Sequence, residues 1–168
     1  MALRLILVAT LAWLTGCAST QAPTPATVAN SASFAGRISI TQPQRRDTGG
    51  FGYWRQGQRQ QWDFFGPTGG ELGQLVIEPD LTQWHPSKGE SISAQDPQAL
   101  ARNALGVDLP LQHAAQWMMG EPADPRRLNG WILSYPKRDE LGRPRIVDLI
   151  KDDIRVRAVI KQWQYNPN

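Results

Sequence analysis

The chain has 168 residues but only one cysteine, Cys17, and two histidines, His85 and His113. A lone thiol makes no internal disulfide, so no covalent staple holds this fold. The histidines stand far apart, with no His-x-x-x-His spacing and no neighbouring cysteine, which argues against a metal site and suits surface or rim positions. Nor is there an apolar run long enough to cross a bilayer. The longest, residues 5–14, is interrupted only by Thr10 and falls well short of the roughly 20 residues a spanning helix needs. Charge of neither sign dominates: 18 Lys and Arg against 15 Asp and Glu give a formal +3. The basic pairs Arg45-Arg46, Arg126-Arg127 and Arg155/Arg157 are short and dispersed, which excludes a basic stripe for nucleic acid. Catalytic signatures are missing too. No serine occupies a Gly-x-Ser-x-Gly elbow, and the Gly-rich stretches 49–52 and 66–73 lack the Lys-Ser/Thr of a phosphate loop, so their glycines read as turns and bulges. Asp152-Asp153 are adjacent, and adjacent side chains point apart, which makes them a solvated turn rather than an acid–base pair. Without a nucleophile, base and stabiliser in one place, the chain reads as a non-enzyme that uses no cofactor.

What is present begins at the N-terminus. Arg4, the short apolar run, and the small residues Thr15 and Gly16 follow the order of a cleavable export signal. The ending Leu14-Thr15-Gly16-Cys17 resembles the lipobox of bacterial lipoproteins, in which the cysteine thiol takes a diacylglycerol and becomes the acylated mature N-terminus. The resemblance implies that residues 1–16 are removed and that Cys17 is the lipidation site. Each buried acyl methylene contributes about 0.8 kcal/mol, so several chains would hold the protein on a membrane almost permanently. Ala18 follows, not the aspartate that resembles an inner-membrane retention signal, which points to the outer membrane, facing the periplasm. Residues 17–33 carry no charge and one sizeable aliphatic, Val28, too little apolar surface to fold; they read as a lipidated N-terminus and tether. Residues 34–168 then suffice for one domain, expected to be a monomer.

From Phe34 the pattern has period two, with Phe34, Gly36, Ile38 and Ile40 on one face of a half-buried strand. Pro43 and the charged residues 45–47 interrupt it. Strands over residues 51–55 and 60–65 form a hairpin at Gln56-Gly57-Gln58, and Trp62 and Phe64 share a face. The chain breaks at residues 66–70, then resumes over 72–78 with Leu75 and Ile77 on one face, followed by short strands at 81–84 and near Ile92. Mid-chain the period becomes helical. Asp96-Pro97 starts a helix with a stripe of Leu100, Ala101, Ala104 and Leu105, closed by Gly106; Pro110 opens another with Leu111, Ala114, Ala115 and Met118, ending at Gly120. Strands return over 131–135, 145–151 and 154–163, the last two joined at Asp152-Asp153. This order of strands, two helices and strands is an α+β fold in which helices can cover one open side of a curved sheet.

The apolar residues leave two readings. Trp62, Phe64, Leu75, Ile77 and Trp131 on strands, with Leu105, Trp117 and Met118 on helices, could fill a solid core or line a cavity between sheet and helices. Periodicity does not separate these.

The order of several short motifs bears on the choice. They are residues 34–39 (Phe-Ala-Gly-Arg-Ile-Ser) after a tether, Trp54-Arg55-Gln56 closing a Gly-rich strand, the Gly66-Pro67-x-Gly69 turn, Leu105-Gly106-x-x-Leu109-Pro110-Leu111, residues 117–122 (Trp-Met-Met-Gly-Glu-Pro), Gly130-Trp131 with Tyr135, and the terminal Val159-Ile160-Lys161-Gln162-Trp163. Together they resemble the outer-membrane lipoprotein receptor family LolB over the whole mature domain. The resemblance implies an unclosed antiparallel β-barrel with short helices over the open side. It also implies an apolar cavity that accepts acylated lipoproteins from the periplasmic carrier LolA and delivers them to the inner leaflet of the outer membrane. On that reading Trp54, Trp62, Phe64, Leu75, Ile77, Leu105, Trp117, Met118 and Trp131 line the acyl-chain cavity, and Pro67, Thr68, Gly69 and Leu72 form the membrane-insertion loop. One position departs from the family: its turn usually reads Pro-Leu-Gly, with an exposed leucine that resembles a membrane wedge, and here that leucine is Thr68. Either Leu72 takes the role or insertion is weakened. Arg37, Arg126, Arg127 and Arg143 are candidates to steer an acidic carrier. A lipocalin-like binder of a small apolar ligand and a structural lipoprotein with a filled core remain as alternatives.

Overall fold

The computed structural model describes residues 31–105, 107–121 and 128–164. Cys17, Gly106, Pro122, Arg126 and Arg127 lie outside the described residues.

Nine strands form one antiparallel sheet: β1 (Ser31–Gln42), β2 (Arg45–Gln56), β3 (Arg59–Phe65), β4 (Glu71–Ile77), β5 (Thr82–Pro86), β6 (Ile92–Ala94), β7 (Ile132–Arg138), β8 (Pro144–Lys151) and β9 (Ile154–Trp163). Their spatial order is β6-β5-β4-β3-β2-β1-β9-β8-β7, so β6 and β7 are edges and the sheet does not close on itself. Between β6 and β7 in sequence come the helices α1 (Pro97–Leu105) and α2 (Leu111–Met118). This is the unclosed barrel with short helices that the residue patterns and the resemblance predict.

Two strand starts differ from the sequence expectation by three residues or more, and β7 runs on to Arg138, past the expected end at Tyr135. β1 starts at Ser31, three residues inside the stretch read as tether, because backbone pairing of Ser31, Ala32 and Ser33 with Gln56, Arg55 and Trp54 asks nothing of the side chains. β2 starts at Arg45, not Phe51. The charged residues 45–47 do not interrupt the sheet; they face Thr41 and Gln42 and their neighbours across a tight turn at Pro43-Gln44, as ends of long strands do when both faces are wet.

Each end of the sheet is blunted. β6 is three residues long, and β7 carries Pro136 and Lys137 with an irregular register against β8, features that discourage pairing with another chain. In α1, Asp96 Oδ1 accepts the Gln98 N–H at 2.9 Å, the capping bond expected of an Asp-Pro start. At β1 the register against β9 shifts between Ala35 and Gly36, where a β-carbon on Gly36 would collide with the Val159 carbonyl, so only glycine fits this crossing.

The core occupies one face. Phe34, Phe51, Tyr53 and Trp62 meet at its centre, with Phe34 stacked 4.7 Å from Tyr53 and Tyr53 4.7 Å from Trp62, and the aromatic row continues through Phe64 to Trp84. From the helical segment Leu100, Val107, Leu109, Leu111, Ala115, Trp117 and Met118 join the same cluster. Burying such side chains contributes about 1.5–3 kcal/mol apiece, which is why helices that are short for isolated stability persist here.

Candidate functional site

α2 lies across the core face of the sheet. Beneath it is a cavity of about 40 Å³ lined by Ile38 of β1, Phe51 of β2, Trp62 and Phe64 of β3, Leu149 of β8 and Val156 of β9. Leu109, Pro110, Leu111, Ala114, Trp117 and Met118 form its roof. Four strand-to-strand steps separate β3 from β8, roughly 19 Å in a flat sheet. Side chains of both can enclose one small space only because the sheet curls around it.

Every lining residue is aliphatic, aromatic or methionine. Among the described residues the buried indole N–H of Trp62 finds no acceptor. The Trp131 indole instead donates to the Asp108 carbonyl at 3.2 Å, tying β7's approach to the segment between the helices. Two shared residues, Ile38 and Phe64, lead from the cavity to a neighbouring cleft of about 310 Å³, lined also by Ile40, Thr48, Gly50, Phe65, Leu72 and Trp84. Gly73 keeps this cleft in shape: at φ +153 it lies so close to β5 that an added β-carbon would fall 2.7 Å from the Trp84 ring.

The residues singled out from sequence divide accordingly. Trp62, Phe64, Trp117 and Met118 line the cavity. Leu75, Ile77 and Trp131 are buried in the surrounding core without reaching it. Trp54 pairs with Gln61 and alternates with Tyr53, which places it on the opposite, outer face of the sheet. Leu105 ends α1, and its side chain is not among those described. Pro67, Thr68 and Gly69 are exposed in the β3–β4 turn, which is closed by Gly69 N–H to the Gly66 carbonyl at 3.0 Å and Gly66 N–H to the Gly70 carbonyl at 2.7 Å. Leu72, 53% exposed, stands at the lip of the cleft.

The sequence reading did not single out Ile38, Phe51, Leu149, Val156 or the Leu109-Pro110-Leu111 segment as lining. Ile38 and Leu111 had been visible as members of apolar faces, but which part of a face is covered depends on where α2 crosses it. His85 Nδ1 lies 2.8 Å from Ser91 Oγ, and His113 neighbours Trp117, in separate regions. No group of three or more metal-binding side chains occurs among the described residues.

Burial raises the Tyr53 hydroxyl to about 12, with Arg55 opposing and Glu121 adding to the rise, so at neutral pH it stays a neutral hydrogen-bonding group. The site thus offers shape and apolar surface rather than acid–base chemistry.

A curled, unclosed antiparallel sheet with helices over an apolar interior defines the class: open β-barrels with a helix-covered hydrophobic cavity. Within that class, the family model described as "Outer membrane lipoprotein LolB" matches residues 30–163, and the chain belongs to this family. Similar proteins include the outer-membrane lipoprotein LolB of Thiobacillus denitrificans, 28% identical over 98% of this chain and 99% of that one. The LolB of Stutzerimonas stutzeri is 28% identical over 78% of this chain and 72% of its own length, and that of Dechloromonas aromatica 24% over 99% and 100%. The location follows: lipid-anchored at the outer membrane, facing the periplasm.

Proposed function

We propose that this protein receives acylated lipoproteins from the periplasmic carrier LolA and passes them to the inner leaflet of the outer membrane, with no catalytic step. The observation that carries the reading is the wholly apolar cavity under α2 and its continuation into the larger cleft. Acyl chains cannot cross water exposed, and a shielding cavity solves that problem only if it also lets go. A carrier with a weaker hold, then this protein, then the bilayer gives a one-way sequence set by affinity alone.

Cys17 is the anchor in this scheme, residues 1–16 the removed signal and residues 17–33 the stretch that includes the tether, its last three residues being drawn into β1. Trp62, Phe64, Trp117 and Met118 contact the acyl chains directly, while Leu75, Ile77 and Trp131 brace the wall behind them. Because about 40 Å³ is far below the roughly 300–1,000 Å³ of an ordinary ligand pocket, loading requires α2 to lift from the sheet. Pro67, Thr68, Gly69 and Leu72 form the loop that meets lipid on release, and Leu72 supplies the apolar contact that Thr68 does not.

The test uses the domain from Ala18 onward, without its anchor, mixed with the carrier loaded with an acylated lipoprotein. Cargo is expected to move to this protein, and Met118→Asp, which puts an unpaired carboxylate into the apolar roof, is expected to reduce transfer at least tenfold. Trp54→Asp, on the outer face, is expected to leave it within about twofold. Equal loss in both variants, or cargo that stays on the carrier at every concentration, would refute the receptor reading.

A further inference from the structure

The two ends of the sheet are not equivalent. Phe34 faces Trp163 and Arg138 faces Pro144, so the start of β1, the end of β9 and the β7–β8 turn share one end; the β1–β2 turn and the 66–70 turn share the other. The chain before Ser31 therefore departs from the end that carries the β7–β8 turn.

Leu141 sits at the tip of that turn and is 75% exposed, the most exposed large hydrophobic among the described residues. The tip is firmly built. Asp139 Oδ1 accepts the N–H groups of Leu141 at 3.0 Å and Arg143 at 2.9 Å, and its Oδ2 accepts Arg143 Nε at 2.8 Å. Arg138 donates to the Gly142 carbonyl at 2.7 Å and lies 4.5 Å over the Tyr135 ring, while Arg143 lies 5.3 Å over Trp163. Lys137, Arg138, Arg143 and Arg145 share this surface with Asp139 and Glu140, so it is net positive, and one of its two carboxylates is already engaged by Arg143. Among the described residues Leu141 is left outside the core, and a hydrogen-bonded turn holds it out among cations.

We propose that the β7–β8 turn is a second membrane contact, in which Leu141 enters the headgroup region of an anionic phospholipid leaflet while the surrounding Lys and Arg side chains meet its phosphates. Two features select lipid over an acidic protein. One is where the chain outside the described residues leads: fourteen residue steps join Ser31 to Cys17, at most roughly 46 Å, so this end stays within reach of the anchored leaflet. The other is the form of the apolar part, a single protruding aliphatic side chain ringed by cations, which suits insertion and is far short of the roughly 800 Å² per partner of a stable protein interface. In this pose β1 and β2, each 12 residues long, stand away from the bilayer and carry the β1–β2 turn roughly 40 Å out, while the base of the 66–70 turn, where Phe65 faces Gly50, stands roughly 20 Å out, toward the periplasm. Delivery through Leu72 then requires the domain to turn over on its tether. The contact itself does not depend on the cargo reading, because it is measured with no cargo present.

The experiment uses the full lipidated chain in vesicles of phosphatidylethanolamine and phosphatidylglycerol. With Cys17 acylated, Leu141→Cys supplies one free thiol for an environment-sensitive dye, and Thr68→Cys supplies the matched label at the opposite end. The expected result is a blue shift and at least threefold quenching by doxyl-labelled lipid for the dye at 141 and neither at 68. Replacing phosphatidylglycerol by phosphatidylcholine, or adding Lys137→Glu with Arg145→Glu, is expected to halve the quenching or more, with circular dichroism confirming that the sheet is intact. Water-like emission at 141 in the anionic vesicles overturns the proposal. So does quenching that ignores both lipid charge and the two substitutions, and so does a shift that appears only when an acidic protein is added.

Discussion

Asp148 is 1% exposed, yet it points away from the cavity, between Val147 and Leu149, which face the core. Arg155 Nη2 donates to it at 2.5 Å, and Arg157 donates through Nε and Nη2 at 2.7 Å each. Those guanidinium bonds, Arg157's foremost, hold its carboxyl below the usual carboxylate range against the opposing effect of burial. A depressed folded-state value means stability that is present above the unfolded value of about 3.9 and is lost as pH falls through the folded one. Asp148→Asn is therefore expected to cost about 1–2 kcal/mol at pH 7, since both arginines are partly exposed and can be rehydrated. Urea midpoints at pH 7 and pH 2 test this: the gap between variant and parent should shrink in acid, and a constant gap would show that the cluster carries no pH-linked stability. A symmetric count outward from the Asp152-Asp153 turn sets 148 opposite 157, so this pair was legible in the sequence. Its burial was not, because that depends on two long side chains folding over the outer face. Trp54 shows the reverse: the family resemblance implied an inner position, but strand parity fixes it outside.

The 66–70 turn is the element in which this chain departs from its family's usual pattern. Thr68 is exposed and backbone hydrogen bonds fix the turn around it, so a larger side chain there meets no obstacle. On the proposed reading, in which this turn meets lipid on release, Thr68→Leu adds exposed apolar surface there and should speed delivery of cargo to vesicles severalfold while leaving uptake from the carrier within about twofold. Stopped-flow transfer in both directions separates the steps; a change confined to uptake would remove this turn from the release step. α2 shows how much of an element can be read locally. Its start at Pro110, its end before Gly120 and its apolar stripe are all sequence signals. That its stripe roofs a cavity, with Trp117 and Met118 in the lining, follows instead from the curl of strands as far away as β8, which no local window contains. The same limit explains why Leu149 and Val156 were not singled out: their period marks a buried face, and whether that face meets side chains or empty space is decided elsewhere.

At the scale of the whole molecule the sequence order of strands, helices and strands carried the architecture, because hairpins β1–β2, β2–β3, β3–β4 and β8–β9 are made by adjacent segments. The step that neighbouring segments do not supply is the pairing of β1 with β9, more than a hundred residues apart, which joins the two runs of strands into one sheet. Phe34 and Ile160, both fully buried, belong to that seam. A chain truncated after Asp153, lacking β9, should remain as protease-sensitive as the urea-unfolded protein and show no cooperative thermal transition; a protected core in that fragment would mean that β1 to β6 with the helices fold alone. Non-local pairing of this kind is slow, since the loop must close before any contact rewards it. For an exported protein that delay has a use. The strand that completes the sheet comes last of the nine, so a chain still being exported would hold no finished sheet to unfold.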